Sequence, residues 1–361
     1  MIGSATSTLD MEFFYISNKQ NEPLQQVVDA IKAASVRGVQ VRIIADARMA
    51  KTYPETLEEL DLLSNIEVRK ISLYNQMGGI MHAKYFIVDR KQVFVGSQNM
   101  DWRALKHIHE LGVTIRNSKL AKLISKIFEL DWQISGEQKE NVPATLTEIP
   151  KDILINAANP LKLTDDSGNP LYLYPTFSPR KAIFPGMEWD ETEIVKLIDD
   201  AKQRVEIQLL TYKPVSHGYF YDKLDNALRR AAARGVQVRM ILSNWDTREP
   251  GVQFLKSLEV VPNVEVRIST IPQWSGGFVP FGRVEHCKYM VSDDHQVWIG
   301  TSNWSYSYFH TSRNLGFIIK NDSVNQTLHD IFMKSWDSPY AEVVNPAKTY
   351  QAPNVGGDEG K

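Results

Sequence analysis

Two segments of the chain carry the same chemically active residue types at the same spacing. In the first, MHAKYFIVDRKQVFVGSQN, a histidine, a lysine and an aspartate occur as His82, Lys84 and Asp89. In the second, EHCKYMVSDDHQVWIGTSN, the same types occur 204 positions later, as His286, Lys288 and Asp293. Residue frequencies of a few per cent give one His-x-Lys-x4-Asp match a chance of roughly one in ten thousand at a given position. Two matches with equal spacing therefore indicate a duplicated site.

These residue types suit the transfer of a phosphodiester group without a metal or a cofactor. Residues two apart on a strand share a face, so His82 and Lys84 project together, as do His286 and Lys288. One neutral imidazole can attack phosphorus to form a phosphohistidine, while the other, protonated, can donate a proton to the departing oxygen. The lysines supply positive charge where the phosphate must be held. No metal-binding pattern such as HExxH or CxxC occurs in the sequence.

Polar residues after each motif extend the candidate site. The candidate donors to the substrate phosphate are Asn99, Asn303, Ser97 and Thr301, although the two hydroxyl groups could instead satisfy their own turns. Asp89 and Asp293 come seven positions after their histidines, and hence at the turn that ends each strand. We expect these aspartates to support the catalytic residues; a plain turn or surface carboxylate is the alternative.

The repeat extends beyond the motifs and predicts the fold class. The sequence RGVQVR occurs at Arg37–Arg42 and again at Arg234–Arg239, each time between a helical pattern and an apolar, β-branched strand. Buried strands that alternate with helices predict two similar α/β halves, each a mixed sheet flanked by helices. The expected division is residues 1–140 for the first half, 141–175 for a turn-rich linker and 176–361 for the second half.

The composition is that of an ordinary folded chain with little net charge. Of the 361 residues, 43% are hydrophobic and 23% are charged, and the formal net charge is −2. These values exclude disordered and coiled-coil proteins, and no apolar run is long enough to cross a bilayer. The single cysteine, Cys287, excludes an intrachain disulfide. The N-terminus lacks a signal peptide and starts almost at once with a strand, which suggests that native residues precede it. The sequence assigns no compartment.

The paired motifs resemble the two HKD motifs of the phospholipase D superfamily, and the resemblance covers nearly the whole chain. It implies one α/β body with pseudo-twofold symmetry, motifs that meet at the interface of the halves, and phosphohistidine chemistry without a metal. The segments GSQNMDWRALKHIHELGV and IGTSNWS are similar in more detail to the branch that contains the lysosomal 5′-exonucleases and their poxvirus relatives. Cardiolipin synthases share the core motif but usually differ just after it, so the resemblance to that branch of the superfamily is ranked lower.

One asymmetry between the halves assigns roles to the two histidines. Glu110 stands eleven residues after Asn99, where members of the family often have a carboxylate that orients the nucleophilic imidazole. The second half has Asn314 at the corresponding position. A carboxylate behind an imidazole fixes its tautomer and strengthens it as a nucleophile. We therefore expect Glu110 behind His82, with His82 as the nucleophile and His286 as the acid and then the base, which is also the more usual order in the family.

A loop of the second half bears on the choice of substrate. Between the strand in NVEVR and His286 this half has six more residues than the first, and the longer loop contains Trp274, Phe278 and Phe281. Such rings could stack on nucleic-acid bases, enter a lipid interface or pack over the seam between the halves.

Three functions remain open, and we rank a nuclease for single-stranded DNA or RNA first. The second is a phospholipase D that hydrolyses or transfers phospholipid headgroups, and the third is an inactive relative that only binds. Intact His, Lys and Asp residues in both motifs disfavour the third function. Because one chain holds both half-sites, we expect a monomer to be sufficient for activity and no obligate protein partner.

Overall fold

The structure, a computed structural model, describes residues 1–135, 142–143, 145–216 and 219–356. The predicted boundary between the first half and the linker, at residues 140 and 141, lies outside these ranges. The strands of the first half are β1 (Thr8–Phe13), β2 (Ile16–Ser17), β3 (Gln40–Asp46), β4 (Ile66–Ile71), β5 (Lys84–Val88), β6 (Gln92–Gly96), β7 (Met100–Asp101), β8 (Ile108–His109) and β9 (Gly112–Arg116). Its helices are α1 (Leu24–Val36), α2 (Met49–Thr52), α3 (Glu55–Asp61), α4 (Leu73–Met77) and α5 (Ser118–Ile134).

The remainder of the chain forms a second set of strands and helices. Its strands are β10 (Leu161–Thr164), β11 (Pro170–Ser178), β12 (Glu188–Trp189), β13 (Arg204–Leu209), β14 (Tyr212–Lys213), β15 (Val215–Ser216), β16 (Tyr219–Phe220), β17 (Gln237–Ser243), β18 (Val264–Ser269), β19 (Val284–Glu285), β20 (Lys288–Ser292), β21 (Gln296–Gly300), β22 (Trp304–Ser305), β23 (Asn314–Lys320) and β24 (Ala341–Val343). Its helices are α6 (Asp190–Asp200), α7 (Lys223–Ala233), α8 (Gly251–Glu259), α9 (Tyr306–His310) and α10 (Asp322–Trp336).

The two halves contain the same arrangement of six strands. In the first half the strand order is β4-β3-β1-β5-β6-β9, with β1, β3 and β4 parallel and the other neighbours antiparallel. In the second half, β18-β17-β13-β20-β21-β23 repeat this order with the same parallel and antiparallel pairs. The predicted fold class, two similar α/β halves with mixed sheets flanked by helices, is confirmed.

The repeated RGVQVR segment leads from a helix into a sheet strand in each half. Helix α1 ends just before Gly38 and helix α7 just before Gly235, and both glycines have a φ of 87°. Glycine enters this left-handed region without the steric cost that a Cβ atom imposes. The chain therefore ends each helix at a C′ glycine and continues directly into β3 or β17.

The range predicted as a linker contributes strands to the second sheet. Strand β10 and most of β11 lie within residues 141–175, and β11 pairs antiparallel with β23. The second sheet thereby continues past β23 to β11 and β10, and β24 pairs with β18 at its other edge. The division of the chain into two domains and a linker stays a prediction.

The halves share a continuous apolar core. One cluster of buried residues contains Tyr85 and Phe128 of the first half together with Phe177 and Trp298 of the second. Removing this apolar surface from water is the main favourable contribution to packing the halves together. Within the described ranges, none of the helices combines the length and the apolar character that a membrane-spanning segment requires.

A buried ion pair joins α5 of the first half to the segment that precedes β23 of the second. Nε and Nη2 of Arg313 donate to the two carboxylate oxygens of Asp131, each at 2.7 Å, and neither side chain is exposed. Nη1 donates to the backbone carbonyl groups of Ser178 and Ala182. The pair therefore fixes Arg313, whose backbone in turn contacts the first motif.

Candidate active site

The two motif histidines lie at the seam between the halves, where short backbone segments of one half pair with segments of the other. Strand β8 of the first half pairs in parallel with β19 of the second, and the His286 amide donates to the His109 carbonyl at 3.0 Å. The pairing is reciprocal, because the His82 amide donates to the Arg313 carbonyl at 3.0 Å. The backbone of each motif histidine is thus hydrogen-bonded to the other half, His286 to His109 and His82 to Arg313.

His82 is held by an amide from the second half. Its Nδ1 lies 3.0 Å from Oδ1 of Asn314. Asn314 uses its Nδ2 to donate to the Tyr308 carbonyl, so its Oδ1 faces the ring and His82 carries its proton on Nδ1. The rings of Phe14 and Tyr308 pack against the imidazole, with centroid distances of 5.4 and 4.8 Å. No hydrogen bond within the described structure occupies Nε2, which is left to face a substrate.

His286 is held by a carboxyl group from the first half. Its Nδ1 lies 2.9 Å from Oε2 of Glu110, and Ser97 donates its hydroxyl proton to the same oxygen at 2.5 Å. Burial raises the pKa of Glu110 to about 8, although the positive charge of Lys288, the Ser97 hydrogen bond and the charge of Lys84 act in the opposite direction. Glu110 therefore gains or loses its charge at a pH near 8, within the pH range in which most enzymes work.

The prediction that Glu110 orients His82 is wrong. The structure places Glu110 behind His286 and Asn314 behind His82, because the segments that carry them cross to the other half through the β8–β19 pairing and its counterpart. Position along the sequence suggested that each histidine has a partner within its own half, whereas in the structure each histidine is held by a residue of the other half. A carboxylate behind an imidazole strengthens it as a nucleophile, and this reasoning, which favoured His82 in the sequence, therefore favours His286.

The structure gives the hydroxyl groups of Ser97 and Thr301 protein partners, which favours the alternative to binding the substrate phosphate. Ser97 donates to Glu110, and Thr301 donates to Oδ1 of Asn314 at 2.9 Å. A hydroxyl group has one proton to donate, and in both residues that proton is already used. These side chains therefore position the residues that hold the histidines.

The motif lysines are fully buried beside the histidines. Lys84 donates to the His82 carbonyl at 2.5 Å, and Lys288 donates to the His286 carbonyl at 2.6 Å. Burial, and then the charge of Lys288, hold the pKa of Lys84 well below its ordinary value, and burial lowers the pKa of Lys288 to about 8. Two ammonium groups so close in a buried site favour binding of an anion. An ammonium group has three protons, so each lysine keeps donors for a phosphate.

Asn99 and Asn303 stay candidates for binding the phosphate. The side-chain oxygen of each is buried and has no hydrogen-bond partner in the described structure. These oxygens can only accept a hydrogen bond and a phosphodiester offers only acceptors, so a phosphate would have to be bound by the Nδ2 group of each amide. The role of both residues remains a prediction.

Asp89 and Asp293 lie at the far ends of β5 and β20 from the histidines and act as supports. Asp89 accepts hydrogen bonds from the backbone amides of Thr6, Ser7 and Thr8, at the start of β1. Asp293 accepts from the backbone amides of the three residues that lead into β13, Lys202, Gln203 and Arg204. Both aspartates therefore anchor the central strand of a sheet and do not contact the reacting groups.

Replacing Asp89 with alanine is expected to lower the free energy of unfolding by about 1–3 kcal/mol, because several amides lose a charged acceptor. The hydrogen bonds to the carboxylate lower the pKa of Asp89 to about 2. A lowered pKa stabilises the folded state above the ordinary value of 3.8, and that stabilisation is lost as the pH falls toward 2. Urea unfolding at pH 7 and at pH 3 measures both effects. Loss of turnover by a fully folded variant would contradict the supporting role.

The aromatic loop, residues 270–283, covers the segment of the first half that follows the first motif. Trp274 is 40% exposed, and its ring lies 5.0 Å from the ring of His107 and 5.3 Å from the ammonium group of Lys106. Phe278 is half exposed. Phe281 instead packs edge-on against Trp245. The loop thus presents two of its three aromatic rings to solvent.

Sequence reasoning missed Phe14 and Tyr308 as neighbours of His82 and gave Asn314 no part in holding it. Phe14 directly follows β1, which pairs with β5, so its position at the end of a central strand was a usable signal. Tyr308 and Asn314 come from the other half, and no spacing within one motif points to them.

Comparisons with known proteins agree with this geometry. The family model described as "Cardiolipin synthase, PLD-like domain" matches residues 1–132 and 194–336. The probable phospholipase D F09G2.8 of Caenorhabditis elegans is 33% identical over 88% of this chain, which spans 60% of that relative's length. The Bos taurus protein named 5'-3' exonuclease PLD3 is 31% identical over 96% of this chain and 75% of its own length.

Among solved structures, the phosphatidylserine synthase of Haemophilus influenzae Rd KW20 has the same fold. Its TM-score is 0.66 at 14% sequence identity, over 97% of this chain and 85% of its own. Together with the paired motifs and their meeting at the seam, these similarities confirm the resemblance found in the sequence. The chain belongs to the phospholipase D superfamily.

Proposed function

We propose that this chain is a phosphodiesterase that cleaves single-stranded nucleic acid through a phosphohistidine intermediate, with no metal in the reaction. One observation carries the proposal: two imidazoles and two buried ammonium groups meet at the seam, and each imidazole is held through Nδ1. This arrangement leaves both Nε2 atoms for chemistry and supplies the positive charge that a phosphate requires.

His286 is the nucleophile in this mechanism. Its Nδ1 donates to Oε2 of Glu110, which leaves the lone pair of Nε2 for attack on phosphorus. The pKa of Glu110 is about 8, so the ionised carboxylate that the mechanism uses becomes the larger fraction above that pH. As the Nε2–P bond forms and the P–O bond to the leaving group breaks, the imidazole gains positive charge, which the carboxylate stabilises. His82 faces the neutral amide of Asn314 and lacks this stabilisation.

His82 is the acid of the first step and the base of the second. Burial, and then the charges of Lys84 and Lys288, hold the pKa of His82 well below 6.5. Its protonated form therefore gives the Nε2 proton readily to the departing oxygen. The neutral imidazole then takes a proton from water, whose oxygen attacks the phosphohistidine and restores His286.

The exposed part of the aromatic loop supports single-stranded nucleic acid as the substrate. Trp274 combines an open ring face with the nearby charge of Lys106, a pairing suited to a base and its phosphate. The relative from Bos taurus is named an exonuclease, which agrees with this choice.

A phospholipase D is the second candidate, because exposed Trp274 and Phe278 would also suit a lipid interface. The Caenorhabditis elegans relative is named a probable phospholipase D. The two functions share one active site and differ in what the aromatic loop contacts.

The deciding experiment incubates the purified chain, in EDTA, with a labelled single-stranded oligonucleotide and separately with phosphatidylcholine vesicles. The proposal expects cleavage of the oligonucleotide that is lost in His82→Ala and His286→Ala. Release of headgroup without cleavage of the oligonucleotide would favour the phospholipase. Absence of both activities would favour another phosphodiester substrate or the inactive, binding-only function.

Replacing Trp274 with alanine is expected to raise KM for the oligonucleotide by roughly 5- to 150-fold, which corresponds to the loss of about 1–3 kcal/mol per stacked base. A small aryl phosphodiester has no base to stack on Trp274, so its KM is expected to stay unchanged. Phe220→Ala is the control, since that exposed ring stacks on Phe254 instead of on the loop. Equal losses for both substrates would mean that Trp274 supports the fold.

The pH dependence isolates the proton that His82 donates. An ester of p-nitrophenol needs no acid, because its leaving group is stable as an anion. The pKa of His82 lies below 6.5, so the protonated form becomes scarcer by about tenfold per pH unit above that value. We expect the ratio of kcat/KM for the oligonucleotide to kcat/KM for the aryl ester to fall with this slope. A ratio that stays constant from pH 6.5 to 8.5 would exclude His82 as the acid.

We further propose that a single chain is sufficient for activity, because both halves of the site come from it. Turnover per chain is expected to stay constant on dilution. Loss of turnover that follows the dissociation of a dimer in light scattering would contradict this.

A further inference from the structure

Three side chains with metal-ligating groups meet behind the histidine that we assign as the nucleophile. Glu285 and Cys287 flank His286 in sequence, and His109 of the first half directly precedes Glu110. Nδ1 of His109 lies 2.9 Å from Oε2 of Glu285, and the ligand atoms of all three residues lie within 4.8 Å of one another.

The chemistry of this set matches zinc and similar divalent cations. Imidazole nitrogen, thiolate sulfur and carboxylate oxygen are the ligands that Zn²⁺ takes in proteins, at about 2.0–2.3 Å. A tetrahedral ion at those distances separates its ligand atoms by about 3.3–3.8 Å. The His109 side chain is 36% exposed, so the ion can enter from solvent, and a rotation of this ring would close the remaining gap. With Glu285 and Cys287 both ionised, the charge of the ion is cancelled within a buried site.

The carboxylate of this set is already held in place. Gln208 donates from Nε2 to Oε2 of Glu285 at 2.7 Å, and its Oε1 accepts a hydrogen bond from Tyr289 at 2.5 Å. Outer hydrogen bonds of this kind orient the ligands of metal sites.

The set occurs on one side of the pseudo-twofold arrangement only. The positions equivalent to Glu285, Cys287 and His109 are occupied by Met81, Ala83 and Arg313, which offer no comparable set of ligands. The cluster is therefore a property of this side of the seam, separate from the duplicated scaffold.

We propose that His109, Glu285 and Cys287 bind one divalent cation of the zinc class, outside the phosphodiester chemistry. The ion would link β8 of the first half to the chain around β19 of the second and so hold the seam beside His286 and Glu110. Sequence analysis expected no metal, because the three ligands come from segments about 176 residues apart and no local spacing reveals them.

The test titrates Co²⁺, a spectroscopic substitute for Zn²⁺, into the full chain after removal of EDTA. We expect one equivalent to produce visible ligand-field bands and a near-ultraviolet thiolate-to-cobalt band. Because Cys287 is the single cysteine of the chain, a thiolate-to-cobalt band can come only from Cys287. Cys287→Ala, which installs the side chain found at the equivalent position 83, is expected to lose the band. His109→Gln is expected to weaken cobalt binding by at least about tenfold.

The control is His329→Gln, because His329 pairs with Glu206 without a thiol and should leave cobalt binding unchanged. Circular dichroism in EDTA checks that each variant is folded. Absence of the thiolate band at saturating cobalt, or equal cobalt affinity in His109→Gln and the unmodified chain, would overturn the proposal. No phosphodiester is present, so this result is independent of the proposed nuclease activity.

Discussion

Replacing His286 with alanine is expected to remove all cleavage of phosphodiesters, a loss of about 10⁴-fold or more in kcat, because the group that attacks phosphorus is gone. Replacing His82 is expected to have a different signature. Cleavage of the oligonucleotide falls by about 10²–10⁴-fold, since the leaving oxygen receives no proton. An aryl ester still reacts with His286 and releases one equivalent of p-nitrophenol in a burst. Later turnover is slow because the variant lacks the base, His82, that would take a proton from the attacking water.

Stopped-flow measurement of nitrophenolate release from a nucleotide p-nitrophenyl ester distinguishes the two variants. The prediction is a burst in His82→Ala and none in His286→Ala. The reverse result would return the nucleophilic role to His82 and would mean that the neutral amide of Asn314, rather than Glu110, stands behind the phosphohistidine.

Replacing Asp131 with alanine is expected to lower the free energy of unfolding by about 3–5 kcal/mol. The substitution removes the carboxylate paired with the buried guanidinium group of Arg313 and leaves as its acidic neighbour Glu12, whose pKa burial raises well above its ordinary value. Because the Arg313 carbonyl accepts the His82 amide, activity is expected to fall as well. Guanidinium chloride unfolding measures the first effect and turnover per folded chain the second.

Two controls test whether the loss comes from the unpaired buried charge. The double variant Asp131→Leu, Arg313→Met removes both charges and is expected to recover most of the stability. Asp199→Ala breaks the exposed pair with Arg230 and is expected to cost less than about 1 kcal/mol. A similar cost for Asp131→Ala and Asp199→Ala would contradict the account of the buried pair.

Much of the fold follows from the sequence because its signals are local and occur twice. The glycine of RGVQVR ends a helix in each half, and the apolar segments after it form β3 and β17 as buried central strands. The recurrence of the motif predicted two equivalent halves. The strands β10 and β11 were not predicted, because their turn-rich sequences form strands only by pairing, β11 with β23 and β10 with β11.

The chemical groups of the site were predicted better than their partners. His82, Lys84, His286 and Lys288 meet at the seam, as the motif implied. The partner of each histidine depends on backbone pairing between segments about 176 to 232 residues apart, which spacing within one half does not reveal. For this reason Glu110 was placed behind the wrong histidine.

The most direct test of the central claim is to identify the phosphorylated histidine. In His82→Ala the intermediate formed from a nucleotide p-nitrophenyl ester is expected to accumulate, since no base activates water to remove it. Quenching at alkaline pH, where phosphohistidine survives, followed by proteolysis and mass spectrometry locates the nucleotidyl group. The account predicts near-stoichiometric label on His286. Absence of label there, with label on residue 82 of the unmodified chain, would contradict it.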